Sequence, residues 1–294
     1  MQENRKIVAL FGNIYQTKKS EYANQVVNLL RGIGCRIIVE RSFYNYAKHL
    51  LEGISESDAF DASNFDAAFA ISLGGDGTFL RTAMLVGAKG IPILGINTGH
   101  LGFMSEINPE NIAGAVNDIN NGNYSVEPRS VLEMAAGNRN IGVYPFALNE
   151  IAVLKQDISS MIKIKVAVNG EYFTTYSSDG LIVATPTGST GYALSAGGPV
   201  MVPHSRTIVM APVAPHSLSV RPVVLCDNVE TEISVESRTG HFLVSVDGRS
   251  ASCCTGETVT IRRAPYDIKI MHCGHKTFFD TMREKLMWDG DLQK

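Results

Sequence analysis

The sequence predicts an α/β domain with an open, doubly wound parallel sheet, followed by a β-rich domain whose strands run mostly antiparallel. From the start to about residue 125, strand-length apolar runs alternate with amphipathic helical stretches. Near Asn121-Gly122-Asn123 the apolar period changes from helical to alternating. With 294 residues and 45% hydrophobic content, the chain should bury roughly three-quarters of its extended surface, enough for two cores.

Residues 6–11 read as the first strand and 20–31 as a helix with Ala23, Val26, Val27 and Leu30 on one face, stopped by Gly32 and Gly34. Further strands follow at 35–40, 67–73 and 91–96. Between the last two, a helix starts near Thr78 and carries Phe79, Leu80, Ala83 and Met84 inward. Asn108 as cap and Pro109 as first residue open another, with Ile112, Val116 and Ile119 one turn apart. Such alternation describes a Rossmann-like sheet covered on both faces. In the second half, 161–168 and 172–176 flank Asn169-Gly170, a hairpin signal. Other strands are expected at 146–154, 181–184, 207–213, 229–237, 242–246, 259–263 and 267–271. Residues 276–287 return to a helical pattern with Phe279, Met282 and Leu286 aligned, expected to pack back on the first domain. The expected domains are therefore 1–125 with 274–294, and 126–273.

Composition removes several function classes. The net charge is −3 with no basic block or stripe, so nucleic acid is not an expected partner. No apolar stretch of ~20 residues occurs and the N-terminus lacks a secretory pattern, so a cytoplasmic protein without membrane association is expected. Cys35, Cys226, Cys253, Cys254 and Cys273 are irregularly spaced and fit free thiols better than disulfides or structural zinc.

The run Ser72-Leu73-Gly74-Gly75-Asp76-Gly77-Thr78 sets one carboxylate among three glycines between a buried strand and a helix. Glycine permits positive φ and close approach, and a helix N-terminus offers free N–H groups to anions. The loop suits phosphate, with Asp76 as its reactive group. Residues 97–103 follow the next strand and belong to the same carboxyl edge, where ligands of such sheets collect. His100 there either donates to phosphate or braces backbone. Asn149-Glu150 interrupts the apolar strand 146–154, so either Glu150 faces solvent or hydroxyl donors such as a ribose meet it. Ser178-Asp179-Gly180 alone is an ordinary turn. Residues 185–199 alternate hydroxyls, glycines and small side chains without a structural rule to explain them, and include Tyr192, able to stack on a base. No GxxxxGK[ST] occurs, and Gly75-x-Gly77-x-x-Leu80 lacks the third glycine of the dinucleotide fingerprint.

Taken in order, GGDGTFLR (74–81), NTGHLGF (97–103), ALNE (147–150), SDG (178–180) and TPTGSTGYALSAGGP (185–199) resemble the ATP-dependent NAD kinases of the short bacterial kind, across residues 5–271. The first motif is shared with diacylglycerol- and sphingosine-type lipid kinases and with phosphofructokinases, whereas 185–199 narrows the resemblance. It implies transfer of the γ-phosphoryl group of ATP to the 2′-hydroxyl of the adenosine ribose of NAD, with Asp76 as general base. It further implies NAD contacts from Asp76, Gly77, Arg81, Asn149, Glu150, Asp179, Thr190, Gly191, Tyr192, Ala193, Leu194 and Ser195, with Ala214 a looser match. Gly74, Gly75, Thr78 and His100 are candidates for the ATP phosphates. A triphosphate donor implies Mg²⁺ or another divalent cation, and the family suggests homodimers or homotetramers. Ser177 stands where relatives restricted to oxidised NAD often carry a basic residue, so strict discrimination against NADH is not implied. The alternatives are a lipid kinase, which would need an acyl-binding surface, and a non-catalytic NAD-binding sensor, which would need no base.

Overall fold

The computed structural model describes residues 5–13, 21–62, 64–99, 102–137, 141–157, 160–274 and 276–288. The chain forms two units, Met1–Pro128 with Ile268–Lys294, and Arg129–Asp267.

The first unit runs β1 (Ile7–Gly12), α1 (Glu21–Gly32), β2 (Arg36–Glu40), α2 (Arg41–Ala47), β3 (Ala59–Phe60), β4 (Phe69–Leu73), α3 (Asp76–Val86), β5 (Ile93–Ile96) and α4 (Ile112–Asn121). The strands pair in parallel in the order β3-β2-β1-β4-β5. The order reverses between β1 and β4, and ligands of open α/β sheets gather at the carboxyl ends beside such a switch point. Strand alternation divides the packing. Val8 and Leu10 join Val26, Val27 and Leu30 of α1 and Ile112, Val116 and Ile119 of α4 in one core. Phe11 stacks edge-on with Phe60 and Phe65, ring centroids 5.4 and 5.5 Å away.

Several boundaries differ from the sequence expectation. The helix after β4 begins at Asp76 rather than near Thr78, so the carboxylate lies in its first turn. The Asn108 side chain makes no capping bond; Pro109–Asn111 is a 3₁₀ turn and α4 starts at Ile112. The short α2, absent from the sequence reading, exists because the Glu40 carboxylate accepts the Phe43 N–H at 3.0 Å.

The second unit contains β6 (Tyr124–Ala136), which enters it from the first, then β7 (Phe146–Ala147), β8 (Glu150–Lys155), β9 (Ile162–Val168), β10 (Glu171–Ser178) and β11 (Gly180–Ala184). The one-turn α5 (Tyr192–Ser195) follows, then β12 (Thr207–Val213), β13 (Val223–Cys226), β14 (Thr231–Glu236), β15 (His241–Val246), β16 (Arg249–Cys254) and β17 (Thr258–Cys273). One sheet contains β10-β9-β14-β17 and the other runs β13-β12-β11-β8-β15-β16, antiparallel throughout. Alternate residues such as Ile151, Val153, Ile164, Val166, Val183 and Val244 form their common core. At the predicted hairpin, Asn169 and Gly170 have φ of 51° and 78°, the backbone of a type I′ turn.

Two strand predictions are corrected. The 146–154 run is broken, since β7 ends at Ala147 and β8 begins at Glu150. Conversely, 259–263 and 267–271 are parts of one strand, β17, which continues through Pro265 although proline cannot donate to a ladder.

The last residues of β17 return to the first unit, where Ile270 pairs in parallel with Ile93 and Met271 and Cys273 join the core. Then comes α6 (Phe278–Leu286), opened by a reciprocal Thr277–Asp280 capping box. It packs on the first unit as expected, burying Met282 and placing the Lys285 ammonium 4.7 Å from the centre of the Phe103 ring. Phe279 does not share that face; it is 58% exposed. None of the five cysteines forms a disulfide, and among the described residues no helix is long and apolar enough to cross a membrane.

Candidate active site

In the first unit the site is built around β4, the loop that follows it and α3. Gly74 turns the chain with φ of 156°, and a Cβ there would lie 2.3 Å from Thr78 Oγ1, so only glycine fits. Gly75 is the N-cap of α3, and its carbonyl takes the Thr78 and Phe79 N–H groups at 3.0 and 3.1 Å, so only the Asp76 and Gly77 N–H groups lack an acceptor within the helix. The half-buried Asp76 carboxylate accepts backbone N–H bonds from three consecutive residues: Phe103 to Oδ2 at 2.8 Å, and Met104 and Ser105 to Oδ1 at 3.2 and 3.4 Å. The loop reaches it because Ile107 returns alongside Ile96 and because Gly95 has no Cβ to strike the Met104 carbonyl, 2.7 Å from where that atom would be. Gly102 is equally constrained, since a Cβ there would fall 1.8 Å from Asp76 Oδ1. The acid is fixed in place rather than free to swing.

Arg81, on the second turn of α3, pairs through Nη2 with Glu40 Oε1 at 2.9 Å. Since Glu40 also caps α2, the guanidinium is tied to structure and only part of its fork can face a ligand. Thr78 is half-buried and Gly77 exposed. His100 lies outside the described residues. The sequence reading missed Gly102 and the amides of 103–105, which become significant only through tertiary contact with Asp76, and Lys285, which comes near it only by packing on the Phe103 ring.

In the second unit, Asn149 and Glu150 stand at the break between β7 and β8, and the cause of that break is Asp247. Its carboxylate accepts the N–H groups of Leu148 at 2.8 Å, Asn149 at 2.9 Å and Glu150 at 3.1 Å, replacing ladder partners. Asp247 and Gly248, with φ of 46° and 78°, form the β15–β16 turn. As Asp-Gly between two strands they signal a hairpin in the sequence, and nothing there foretells the reach of the acid.

The 185–199 segment wraps the same pair. Thr185 N–H donates to the Asn149 carbonyl at 2.9 Å and Thr185 Oγ1 to the Leu148 carbonyl at 2.5 Å. Gly188 passes so close that a Cβ would lie 2.2 Å from the Asn149 carbonyl oxygen. A Cβ on Gly191 would come within 3.1 Å of Glu150 Oε2. Thr187–Thr190 is a 3₁₀ turn leading into α5. Tyr192 and Ser195 are exposed and Leu194 is half-buried. Ala193, however, is fully buried against Ala184, Val209 and Ala211, so its side chain serves packing. Thr190 Oγ1 donates to the Thr187 carbonyl at 3.2 Å. Asp179 pairs with Lys155 Nζ at 2.7 Å, and the exposed Ala214 follows β12 with φ of 43°.

Glu150 does not face solvent freely. Its Oε2 and the Asn149 Oδ1 are buried acceptors without a partner. Burial, together with the neighbouring Asp247 charge, raises the Glu150 pKa to about 7 against a bond from the Tyr192 N–H. Asp247 is also raised by burial, with its three N–H donors and Arg249 opposing. A stability consequence follows. Between the ordinary value of 4.5 and about 7, folded Glu150 holds a proton that the unfolded chain has released. Its contribution therefore favours the fold at the acid end and is lost as pH rises through about 7. Glu150→Gln, neutral throughout, should match the parent at pH ~4, below the ordinary value, and exceed it at pH ~8 in urea unfolding. Equal differences at both pH values would contradict a buried, proton-holding Glu150.

The motifs thus cluster by unit: Gly74, Gly75, Asp76, Gly77, Thr78 and Arg81 in one, and Asn149, Glu150, Thr190 and Gly191 in the other. Residues 8–124 match the family model for the ATP-NAD kinase N-terminal domain and 148–273 that for the ATP-NAD kinase C-terminal domain. An NAD kinase of Bacteroides fragilis (strain YCH46) is 52% identical over 284 residues, spanning 96% of this chain and 98% of the relative. One from Flavobacterium psychrophilum is 38% identical over 292 residues, spanning 97% and 98%. Among solved structures, an NAD kinase from Archaeoglobus fulgidus in complex with ATP superposes with TM-score 0.71 at 26% identity, covering 98% of each chain. Yeast NADH kinase complexed with NADH shares the fold, with TM-score 0.85 at 23% identity over 98% of this chain and 89% of that one. A glycine-rich loop with a fixed carboxylate, buried acceptors without a partner, and relatives matching over nearly the whole length agree: this chain belongs to the ATP-NAD kinase family.

Proposed function

We propose that this chain transfers the γ-phosphoryl group of ATP to the 2′-hydroxyl of the adenosine ribose of NAD, giving NADP and ADP, with Asp76 as the residue that receives the hydroxyl. The observation that carries this reading is the seating of Asp76. A carboxylate offers about four lone-pair sites, and three are engaged by the loop amides, which leaves one directed acceptor. The ribose oxygen forms its bond to the γ-phosphorus while the bond to the β,γ-bridging oxygen breaks and its electron pair leaves on ADP. The hydroxyl proton passes to Asp76. Phosphoryl transfer through a loose, metaphosphate-like state asks little of the nucleophile, so that proton moves late and Asp76 acts chiefly by orientation.

Asn149 and Glu150 supply recognition. A buried acceptor without a donor costs about 1–3 kcal/mol, and ribose hydroxyls or an adenine amine would relieve that cost at Asn149 Oδ1 and Glu150 Oε2. The exposed Tyr192 ring is available for stacking on the base.

A divalent cation fits this donor set only in one way. Among the described residues no group of three or more His, Cys, Asp or Glu could hold a metal, and Asp76 has a single acceptor site left. Mg²⁺ would therefore come on the triphosphate with its waters, with Asp76 as at most one protein ligand, and would withdraw charge from the phosphates.

A coupled NADP-formation assay with ATP, with inorganic polyphosphate and with no donor, each with and without Mg²⁺, tests the reading. NADP should form from ATP and Mg²⁺; its absence there, or phosphorylation of diacylglycerol instead, overturns it. Nicotinamide mononucleotide lacks the adenosine half and should turn over at less than about a thousandth of the NAD rate, because a site built on hydrogen bonds rejects an analogue without the bonding groups. Appreciable turnover would show that adenosine is not what the enzyme reads.

A further inference from the structure

We propose that Lys285, on the C-terminal helix, is a catalytic residue whose ammonium binds the γ-phosphoryl group of ATP beside Asp76 and neutralises its charge during transfer. The inference rests on the kinase reading above. Three observations within the first unit carry it.

First, Lys285 and Asp76 share a neighbour. The Lys285 Nζ lies 4.7 Å from the centre of the Phe103 ring, and the Phe103 N–H makes the shortest bond to the Asp76 carboxylate, 2.8 Å. Second, the other cations of this segment are spoken for, and Lys285 is not. Lys276 Nζ pairs with Glu284 at 2.6 Å and Arg283 pairs with Asp280. Among the described residues no carboxylate, Asp76 included, comes within 4.0 Å of the Lys285 ammonium. Third, the amine is half-buried. Burial pulls it below the ordinary lysine range while the Asp76 charge pulls it back, so the two groups act on each other without touching.

A half-buried ammonium loses hydration, and the Asp76 charge, held by three amides and not paired with it, offsets that loss only in part. The missing partner is an anion, and its place follows from the reaction. The phosphorus must lie against the hydroxyl that Asp76 receives, so a cation next to Asp76 meets the group in transit rather than a distant part of either substrate. Lysine offers three donors as a point charge, suited to the equatorial oxygens over which charge spreads in a loose transition state.

The test uses Lys285→Met, which keeps the stem over Phe103 and removes the charge, and Lys285→Arg, which keeps the charge. Lys285→Met should lower kcat by about 10²-fold, the usual cost of one charge-stabilising donor, with the KM for NAD within threefold. The parent should bind the magnesium complex of a non-hydrolysable ATP analogue more tightly than that of ADP, and Lys285→Met should abolish this preference. Lys285→Arg should recover most of both, while the melting temperatures of all three stay together. A Lys285→Met kcat within threefold of the parent, or a loss confined to the KM for NAD with the triphosphate preference intact, overturns the role. If the parent itself forms no NADP, the kinase reading fails and this role with it; an active parent beside an equally active variant removes Lys285 alone.

Discussion

Asp76→Asn is expected to lower kcat by about 10²–10⁴ and to leave NAD affinity within a few-fold, as for loss of acid–base and orienting help in the transition state. Asparagine keeps the shape. Its carbonyl oxygen can still accept the Met104 and Ser105 N–H groups, but its amide nitrogen then faces the Phe103 N–H, donor against donor. One unsatisfied donor costs about 1–3 kcal/mol, so a modest fall in melting temperature should accompany the kinetic loss. Gly102→Ala provides an independent arm, because its Cβ would sit 1.8 Å from Asp76 Oδ1 and force the carboxylate off its amides without changing any ionisable group. Both variants should bind NAD in calorimetric titration and fail in turnover. Collapse of NAD binding in Asp76→Asn would mean that the acid holds the dinucleotide instead of receiving its hydroxyl.

What could be read from the sequence were features whose cause is local. The apolar β4 followed by Gly74-Gly75-Asp76 is a strand, a turn and a helix start on any reading, and Asn169-Gly170 needs only the positive φ of both residues to make a hairpin. The second unit was visible through its period of two. What escaped depends on contacts between distant residues. Asp247 breaks the 146–154 run by taking three amides about a hundred positions earlier, a reach no periodicity reports. Pro265 looks like a strand end in isolation, yet β17 runs through it. The short α2 is held by a buried Glu40 that also restrains Arg81, so the arginine reads as phosphate-seeking in a motif and proves to be partly engaged in the fold.

The candidate site shows the same division. Its residue types were legible because phosphate loops need glycine and hydroxyl-rich segments resist structural explanation. Its electrostatics were not. Whether Glu150 meets solvent or a ligand is undecidable from an apolar strand with one acid in it, since the answer lies in what covers the strand. Residues 185–199 cover it, and the close approaches of Gly188 and Gly191 bring the small-residue segment against the acceptors.

The second large effect is expected at Asp247, a positioning residue that touches neither substrate in the proposed mechanism. Asp247→Ala removes the acceptor for three adjacent N–H groups, each left partly desolvated at about 1–3 kcal/mol. The 148–150 backbone would shift to find other acceptors, and Asn149 and Glu150 would move with it. Recognition should suffer more than chemistry: the KM for NAD is expected to rise about 10–100-fold, corresponding to about 1.4–2.8 kcal/mol, with kcat far less affected. Asp76 and its amides belong to the other unit and retain their own contacts. Asp247→Asn should recover part of the loss, because the Asn149 and Glu150 N–H groups can still converge on one carbonyl oxygen. The variant also removes a charge that helps to hold the Glu150 proton, so the pH at which Glu150 titrates should fall from about 7. A purely structural role would lower the melting temperature and active fraction without moving either the KM for NAD or that titration. Unchanged values of both in soluble Asp247→Ala would therefore remove Asp247 from the recognition machinery.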